Sequence, residues 1–203
     1  QTGTRADFAE WKRKADAERE KAEQAKREAE TAAAERARSI IAQARKAAST
    51  AYTERKGLVS GHYLTNPAGD LLIRIQDETG QTVNIQRITQ DGAKKFLSGG
   101  RVSGCFHVLH GKSPAVLCEG YATGVTIHAA TGREVIVAFS ANNLPKVARV
   151  LAGRISLVAA DHDTSGTGEK YAKETGLPYL MPPTVGDWND YAAQNGTEAV
   201  TEA

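Results

Sequence analysis

From Pro114 onward the chain alternates between short apolar runs and helix-forming segments, and this alternation restricts its fold more than any other feature. "AVLCE" reads as a strand and "GYATGVTIHAAT" as a turn and helix, and "EVIVAFS" with "ANNLPKVARVLAG" repeats the pair. "ISLVAAD" with "GTGEKYAKETG", then "LPYLM" with "DWNDYAAQNG", complete four βα units. Strands joined through a helix run parallel, and a parallel sheet needs helices to cover its faces. An α/β fold follows. In such sheets ligands bind beyond the carboxyl ends of the strands. There the sequence delivers Glu119, Ser140 to Asn142, Asp161 with Asp163, and, just past the fourth strand, Asp187 and Asp190.

Asp161 and Asp163 close the run "SLVAADHD". Two carboxylates one residue apart repel each other, and each resists leaving water, so the pair makes sense around a cation. Three kinds of metal site begin this way. In an EF-hand loop Asp161, Asp163, Ser165, Gly166 and Glu169 would fill positions one, three, five, six and nine, but the twelfth position, which needs a bidentate Glu, is Ala172. The preceding element is also a strand. A phosphatase of the haloacid dehalogenase type carries Asp-x-Asp-x-Thr after a strand, and Asp161-His162-Asp163-Thr164 is the matching stretch here. "GDWND" resembles that family's distal acidic motif, yet only 23 residues separate Asp163 from Asp187. That is too short for the intervening motifs, and Glu119 would be left unexplained. His162 between the two aspartates reads as incidental.

The third kind accounts for all of these residues. "CEGYATG" places Glu119 at the end of the first strand ahead of a Gly turn, and Asp161-x-Asp163-x-x-Gly166 follows two βα units later, ahead of "DWND". Over about residues 114–196 this resembles a Toprim domain, the catalytic fold of bacterial-type primases, type IA and II topoisomerases and some nucleases. The resemblance implies that Asp161 and Asp163 bind a divalent metal, that Glu119 binds metal or acts as acid/base, and that Asp187 helps hold a second metal. The expected ion is Mg²⁺, with Mn²⁺ as the alternative, since oxygen ligands and phosphate suit both. Gly120 and Gly166 are expected to let backbone approach the phosphates. Two positions depart from the family pattern: Thr123 stands where an acid often lies four residues after the glutamate, and Asn189 stands two residues after Asp187. Both thin the second metal site.

Upstream, "GDLLIRIQDETGQTVNIQRI" is two β-rich runs around a turn, a hairpin signal. With "KKFLSGGRVSGCFHVLHG" it resembles the β-rich subdomain preceding Toprim in bacterial-type primases, most like those of conjugative plasmids and phages. On that resemblance Arg87, Lys95 and Arg101 contact template or nucleotide phosphates. Residues 5 to about 55 lack Gly and Pro and are rich in Ala, Glu, Lys, Arg and Gln, the strong helix formers. Large apolar residues are too sparse there for a heptad zipper. A long solvated helical arm is expected, opened by a Thr4–Asp7 capping pattern. The expected architecture is therefore a helical arm over 1–57, a β-rich primase-type subdomain over 58–113, and a Toprim-like parallel sheet with flanking helices over 114–203.

Charge follows the same division. Residues 1–57 carry 14 Lys and Arg against 10 Asp and Glu, whereas residues 115–203 carry 6 against 10. A basic upstream half suits nucleic acid, and an acidic downstream half suits metal ions. Cys105 and Cys118 lack zinc-ligand spacing and read as small buried side chains. No apolar run approaches the ~18 residues of a membrane span, so no membrane partner and a cytoplasmic, reducing setting are expected. The first residue is Gln1 rather than Met, as in a piece of a longer protein. No P-loop, zinc module or helicase motor is present, since "GTGEK" lacks the GxxxxGK[ST] pattern.

The resemblance implies a DNA primase catalytic core, joining ribonucleotides into short RNA primers on a single-stranded DNA template. A helicase or other modules of a longer parent are the further partners expected. Two alternatives stand beside it: a Toprim nuclease cutting DNA or RNA, and a catalytically weakened module that binds nucleic acid or a partner.

Overall fold

The computed structural model describes residues 5–59 and 61–203. The Thr4–Asp7 cap lies outside the described residues. Helix α1 (Arg5–Ala42) ends well short of residue 55. The chain then forms a short strand, β1 (Arg45–Ala47), and restarts as α2 (Ala51–Arg55). Local chemistry favours the restart, because Thr50 and Thr53 form a reciprocal capping box at the start of α2. Pairing of β1 with β2 (Tyr63–Thr65) then outweighs the helix propensity of "ARKA". Nor is α1 solvated along its whole length. Ala33 and Ala37, one helical turn apart, are fully buried against the first sheet, and Ala37 packs with Leu72 and Ile85. From Phe8 to Glu28 the helix is exposed except at Ala15.

That first sheet is antiparallel, in the order β1–β2–β3–β4–β5, with β3 at Leu71–Gln76, β4 at Thr82–Ile88 and β5 at Lys94–Phe96. The expected hairpin is β3–β4. Its turn is held by the Asp77 carboxylate, which accepts the backbone N–H groups of Thr79 and Gln81, each at 3.0 Å.

The second sheet has the order β10–β9–β7–β8–β6. Its strands are β6 (His107–Leu109), β7 (Lys112–Cys118), β8 (Arg133–Val137), β9 (Ile155–Ala159) and β10 (Tyr179–Leu180). All pair in parallel except β6, which runs antiparallel to β8. The sheet therefore begins at His107, upstream of the boundary expected at 113/114, because the apolar "HVL" finds a partner in β8. The helices are α3 (Tyr121–Thr131), α4 (Leu144–Val150), α5 (Thr167–Lys173), α6 (Trp188–Asn195) and α7 (Ala199–Glu202). All four expected βα units are present.

Both faces of this sheet are covered, which is why its strands read as continuous apolar runs. Val116, Val135 and Val137 face one core, while Leu117, Ile136 and Val158 face the other. The first core also contains Tyr63, Leu71, Ile73 and Ile88 from the antiparallel sheet, so the two sheets share it. Paired backbone hydrogen bonds between Gln76 and Phe106 (2.8 and 3.0 Å) and the His107 Nδ1 contact to the Arg74 carbonyl (2.9 Å) lock them together. Cys105 and Cys118 are buried free thiols. Among the described residues no helix is long and apolar enough to cross a membrane.

Candidate active site

Register in the parallel sheet decides which side chains meet. Cys118 lies level with Val137 on one neighbouring strand and Ala159 on the other. The chain therefore leaves β7 at Glu119, β8 at Ala138–Phe139 and β9 at Ala160–Asp161, all on one edge. The Phe139 N–H donates to the Glu119 carbonyl at 2.8 Å, which continues the ladder one residue past the strands. Phe139 takes a left-handed φ of 70°, turning the chain sharply here. Asp187 reaches the same edge through His162. That residue exchanges backbone hydrogen bonds with Gly186 (3.0 and 2.9 Å), and its Nδ1 contacts the Pro182 carbonyl at 3.0 Å. His162 is thus a structural tie between two loops, where the sequence suggested an incidental residue.

Glu119, Asp161 and Asp187 lie within one another's electrostatic field. Burial pushes the Asp161 carboxyl up to about 7, with Glu119 and Asp187 adding to the rise and Lys94 opposing it. Burial also raises Glu119, against a hydrogen bond from the Ala141 N–H and the field of Lys94. Asp161 Oδ1 is buried without a hydrogen-bond partner. An unpaired buried carboxylate oxygen is costly unless a proton or a cation answers it.

Asp163 behaves in the opposite way. Its Oδ1 accepts from the N–H groups of Ser165 (2.9 Å) and Thr167 (3.1 Å) and from the Ser165 hydroxyl, and its Oδ2 accepts from Gly168 N–H at 2.6 Å. These donors, the Ser165 hydroxyl foremost, hold its carboxyl down at about 2. Asp163 stays ionised and fastens the first turn of α5, which leaves few of its lone pairs for an ion. Asp187 likewise caps α6, accepting the Asp190 N–H at 2.8 Å.

The glycines of the site differ in the room around them. Gly166 adopts φ 70° with open space around it, so its role is the left-handed turn. Gly168 is the crowded one: a Cβ there would collide with the Asp161 carbonyl oxygen and press on Asp163 Oδ2 at 3.1 Å. Gly120, in extended conformation, leaves ordinary room, its nearest neighbour being Thr123 Oγ1 at 3.6 Å. Gly168→Ala is expected to destabilise the protein by about 2 kcal/mol or more, because backbone must move. Gly120→Ala is expected to melt within a degree or two of wild type. Thermal melts of the two variants side by side check this.

Strand parity separates the basic candidates from the carboxylates. Arg87 pairs with Lys95 across β4–β5, and both line a groove of about 490 Å³ beside the end of α1, together with Ile40, Leu72 and Ile85. Lys94 and Phe96 take the other parity. The Phe96 ring meets Phe139 edge-on at 6.0 Å, and Lys94 acts on Glu119 and Asp161. Arg101 is held by Asp77 at 3.1 Å, and Arg87 lies 3.7 Å from Asp70. The sequence points to Lys95, but the alternation of a strand beginning at Lys94 turns Lys94 to the carboxylate side. Thr123 and Asn189 both point into protein. Thr123 is buried in α3, and Asn189 Nδ2 donates to the Lys56 carbonyl and Thr126 Oγ1, each at 3.0 Å. The acid in this segment is Asp190, whose carboxylate pairs with Lys56 at 3.1 Å.

In kind, these residues suit a hard divalent cation: all donors are oxygens, and Asp161 presents a buried oxygen with no partner. Among the described residues no three His, Cys, Asp or Glu side chains are gathered closely enough to hold an ion between them.

Residues 114–198 match the Toprim domain family. Two curated relatives, both named DNA primase TraC from Escherichia coli, are 36% and 32% identical over 126 residues. Those alignments cover 56% of this chain but only 12% and 9% of the relatives' own lengths. Among solved structures, the primase fragment of the bacteriophage T7 primase-helicase protein superposes with a TM-score of 0.54 at 15% identity, covering 80% of this chain and 75% of its own. The zinc-binding and RNA polymerase domains of the Aquifex aeolicus primase give 0.50 at 17% identity, covering 74% of this chain and 44% of that one. At these identities the superpositions speak for the fold alone.

Proposed function

We propose that this chain, whose residues 114–198 are a Toprim domain, is the catalytic core of a DNA primase in a cytoplasmic replication system. It would join ribonucleotides into short RNA primers on a single-stranded DNA template, using Mg²⁺ or, in its place, Mn²⁺. The observation that carries the reading is the half-buried trio of Glu119, Asp161 and Asp187 at the strand ends, where Glu119 and Asp187 both raise the Asp161 carboxyl, with the antiparallel sheet seated against it through Phe96 and Phe139. The identity to DNA primase TraC supports it.

Asp161 and Glu119 would hold the ion, with Asp187 at a second position and Asp163 contributing chiefly its fixed charge. A bound divalent cation supplies counter-charge to the phosphates and stabilises the charge that builds at phosphorus. The chemical step forms a bond from a ribonucleotide 3′-oxygen to the α-phosphorus of the next triphosphate and breaks the bond to pyrophosphate. Glu119, raised by burial, is suited to accept the proton of that 3′-hydroxyl. Gly120 leaves ordinary room beside it, and Gly166 sets the turn that presents Asp163. Arg87 and Lys95, on the far face of the sheet, would contact phosphates of the template strand, with Arg101 helping once released from Asp77. A helicase or other modules of a longer parent would supply strand opening.

Incubating the chain with single-stranded DNA, ribonucleotides and Mg²⁺ tests this directly. Labelled oligoribonucleotides made by wild type and lost in Asp161→Ala are expected. Shortened DNA in place of new RNA would assign the same carboxylates to a nuclease. DNA binding with neither product would leave a binding module.

A further inference from the structure

Two apolar features at opposite ends of α1 are left uncovered. Near its start, Phe8 and Trp11 are 66% and 63% exposed, and their rings stack with centroids 5.8 Å apart. Single exposed apolar residues are ordinary, but two large aromatics side by side on a helix held clear of the body are not. At the other end lies the groove of about 490 Å³. Leu72 and Ile85 form its buried floor, with Gln43, Ala44 and Ser98 among its walls. None of its described lining residues is Asp or Glu.

A stripe along the helix joins the two. Phe8, Trp11, Ala15, Ala22, Ala25 and Ala29 follow one another at spacings of three, four or seven residues, so they share one side, interrupted only by Glu18. All but Ala15 are exposed. Seven residues beyond Ala29 the same stripe reaches Arg36, whose Nη2 donates to the Ser98 carbonyl on the groove wall at 2.9 Å. The stripe therefore runs from the aromatic pair to the groove.

Charge decides what can lie along it. One flank of the stripe carries Lys14, Lys21, Glu28 and Glu35, and the other carries Arg19 and Lys26. Two copies of the helix laid parallel would set Lys14 against Arg19 and Lys21 against Lys26, like charges throughout. Laid antiparallel, they set Lys14 against Glu35 and Lys21 against Glu28, each twice by symmetry, with Arg19 against Lys26 as the opposing pair. Lys14 also lies 2.8 Å from Glu10 on its own helix, an exposed pair that exchanges at little cost. The same antiparallel alignment brings Trp11 of one copy level with Arg36 of the other, and Phe8 level with Ser39, next to Ile40 on the groove. The indole then meets a guanidinium already fixed in place, which favours a cation–π contact. Between the ends, alanine faces alanine.

We infer that α1 is a dimerisation arm: two copies of this chain pair antiparallel along the stripe, each seating Phe8 and Trp11 in the groove at the base of the other. The two contacts are equivalent about a two-fold axis, so the assembly closes at two copies instead of growing into a fibre. Alanines alone are too small to hold such a pair together. The aromatic anchors, buried in a pocket, supply the affinity, and the flanking charges set the direction. The inference stands apart from the primase reading and holds whichever reaction the carboxylates perform.

Sedimentation velocity of the full chain over rising concentration is the test. A monomer–dimer equilibrium is expected, accompanied by a blue shift of Trp11 emission, since the other tryptophan, Trp188, is already buried. Replacing both aromatics, Phe8→Ala with Trp11→Ala, should raise the dimer dissociation constant about a hundredfold or more. Ala44→Trp, which fills the groove and keeps the aromatics, should do likewise. Lys21→Glu and Glu28→Lys should each weaken self-association several-fold. Mixing those two variants should restore a dimer, because each then offers the other opposite charges at both places, a result that the parallel alignment does not give. All these positions lie outside the buried core, so the dilute variants should melt with wild type. A chain that stays monomeric at every concentration, a dimer that survives loss of both aromatics, or charge variants that fail to complement would each overturn the arm. Trp11 emission that shifts on adding single-stranded DNA to a chain that stays monomeric would overturn it too, and would give the stripe to nucleic acid.

Discussion

Asp161→Asn is expected to raise the melting temperature of the metal-free protein at pH 8 while abolishing primer synthesis. The Asp161 carboxyl is raised by burial, then by Glu119 and Asp187, to about 7 from an ordinary 3.8. A folded-state value above the unfolded one favours the native state only while the group is protonated. That contribution is complete below about pH 4 and is lost as pH rises through about 7. The gap between the two values corresponds to about 4 kcal/mol at most, or a melting shift of up to about 10 °C in a chain of this size. Asparagine keeps the shape and cannot ionise, so the variant's stability should stay flat across the same range. Adding Mg²⁺ at pH 8 should stabilise wild type and leave Asp161→Asn unmoved, while primer synthesis falls by about 10³-fold or more. Equal melting shifts on adding Mg²⁺ to both proteins would remove Asp161 from the metal site.

Asn143→Ala should cost about 3–5 kcal/mol. Asn143 is 2% exposed. Its Nδ2 donates to the carbonyls of Ala138 (2.8 Å), Cys105 (3.0 Å) and Val102 (3.2 Å), and its Oδ1 accepts the Gly104 N–H at 2.7 Å. Truncation strands these buried groups and frees the loop that delivers Phe106 to the core. Asn143→Asp should fail as well, because a carboxylate has no N–H to share among the surrounding carbonyls and would face them with its own charge. Urea unfolding measures both, and a loss below about 1 kcal/mol would show that the loop holds without this residue. Since the same loop joins β5 of the antiparallel sheet to β6 of the parallel one, Asn143→Ala should also loosen Lys94 over the carboxylates. Nothing in "SANNLP" distinguishes Asn143 from Asn142. Only the fold reveals that one points inward and the other does not.

The parts legible in sequence were those governed by local periodicity. The four βα units, the β3–β4 hairpin and the placement of Glu119, Asp161 and Asp187 at strand ends follow from where apolar runs stop. Contacts remote along the chain were not legible. Docking of Ala33 and Ala37 on β4, the tie between His162 and Gly186, and the Lys56–Asp190 pair link residues whose neighbours in sequence give no sign of them. The helix boundary at Ala42 belongs here too, because a strand-forming edge more than a dozen residues downstream decided it.

By itself the sequence determined the α/β architecture and the acids that share one edge of the sheet, because strand and helix periods are local and parallel strands all end on the same side. Only the tertiary structure decided how those acids differ. Burial makes Asp161 hold its proton near neutrality, while the first turn of α5 keeps Asp163 ionised. It also decided that Lys94 rather than Lys95 faces them. Proton affinity and strand facing depend on what packs against a residue, and that is fixed only when distant parts of the chain come together.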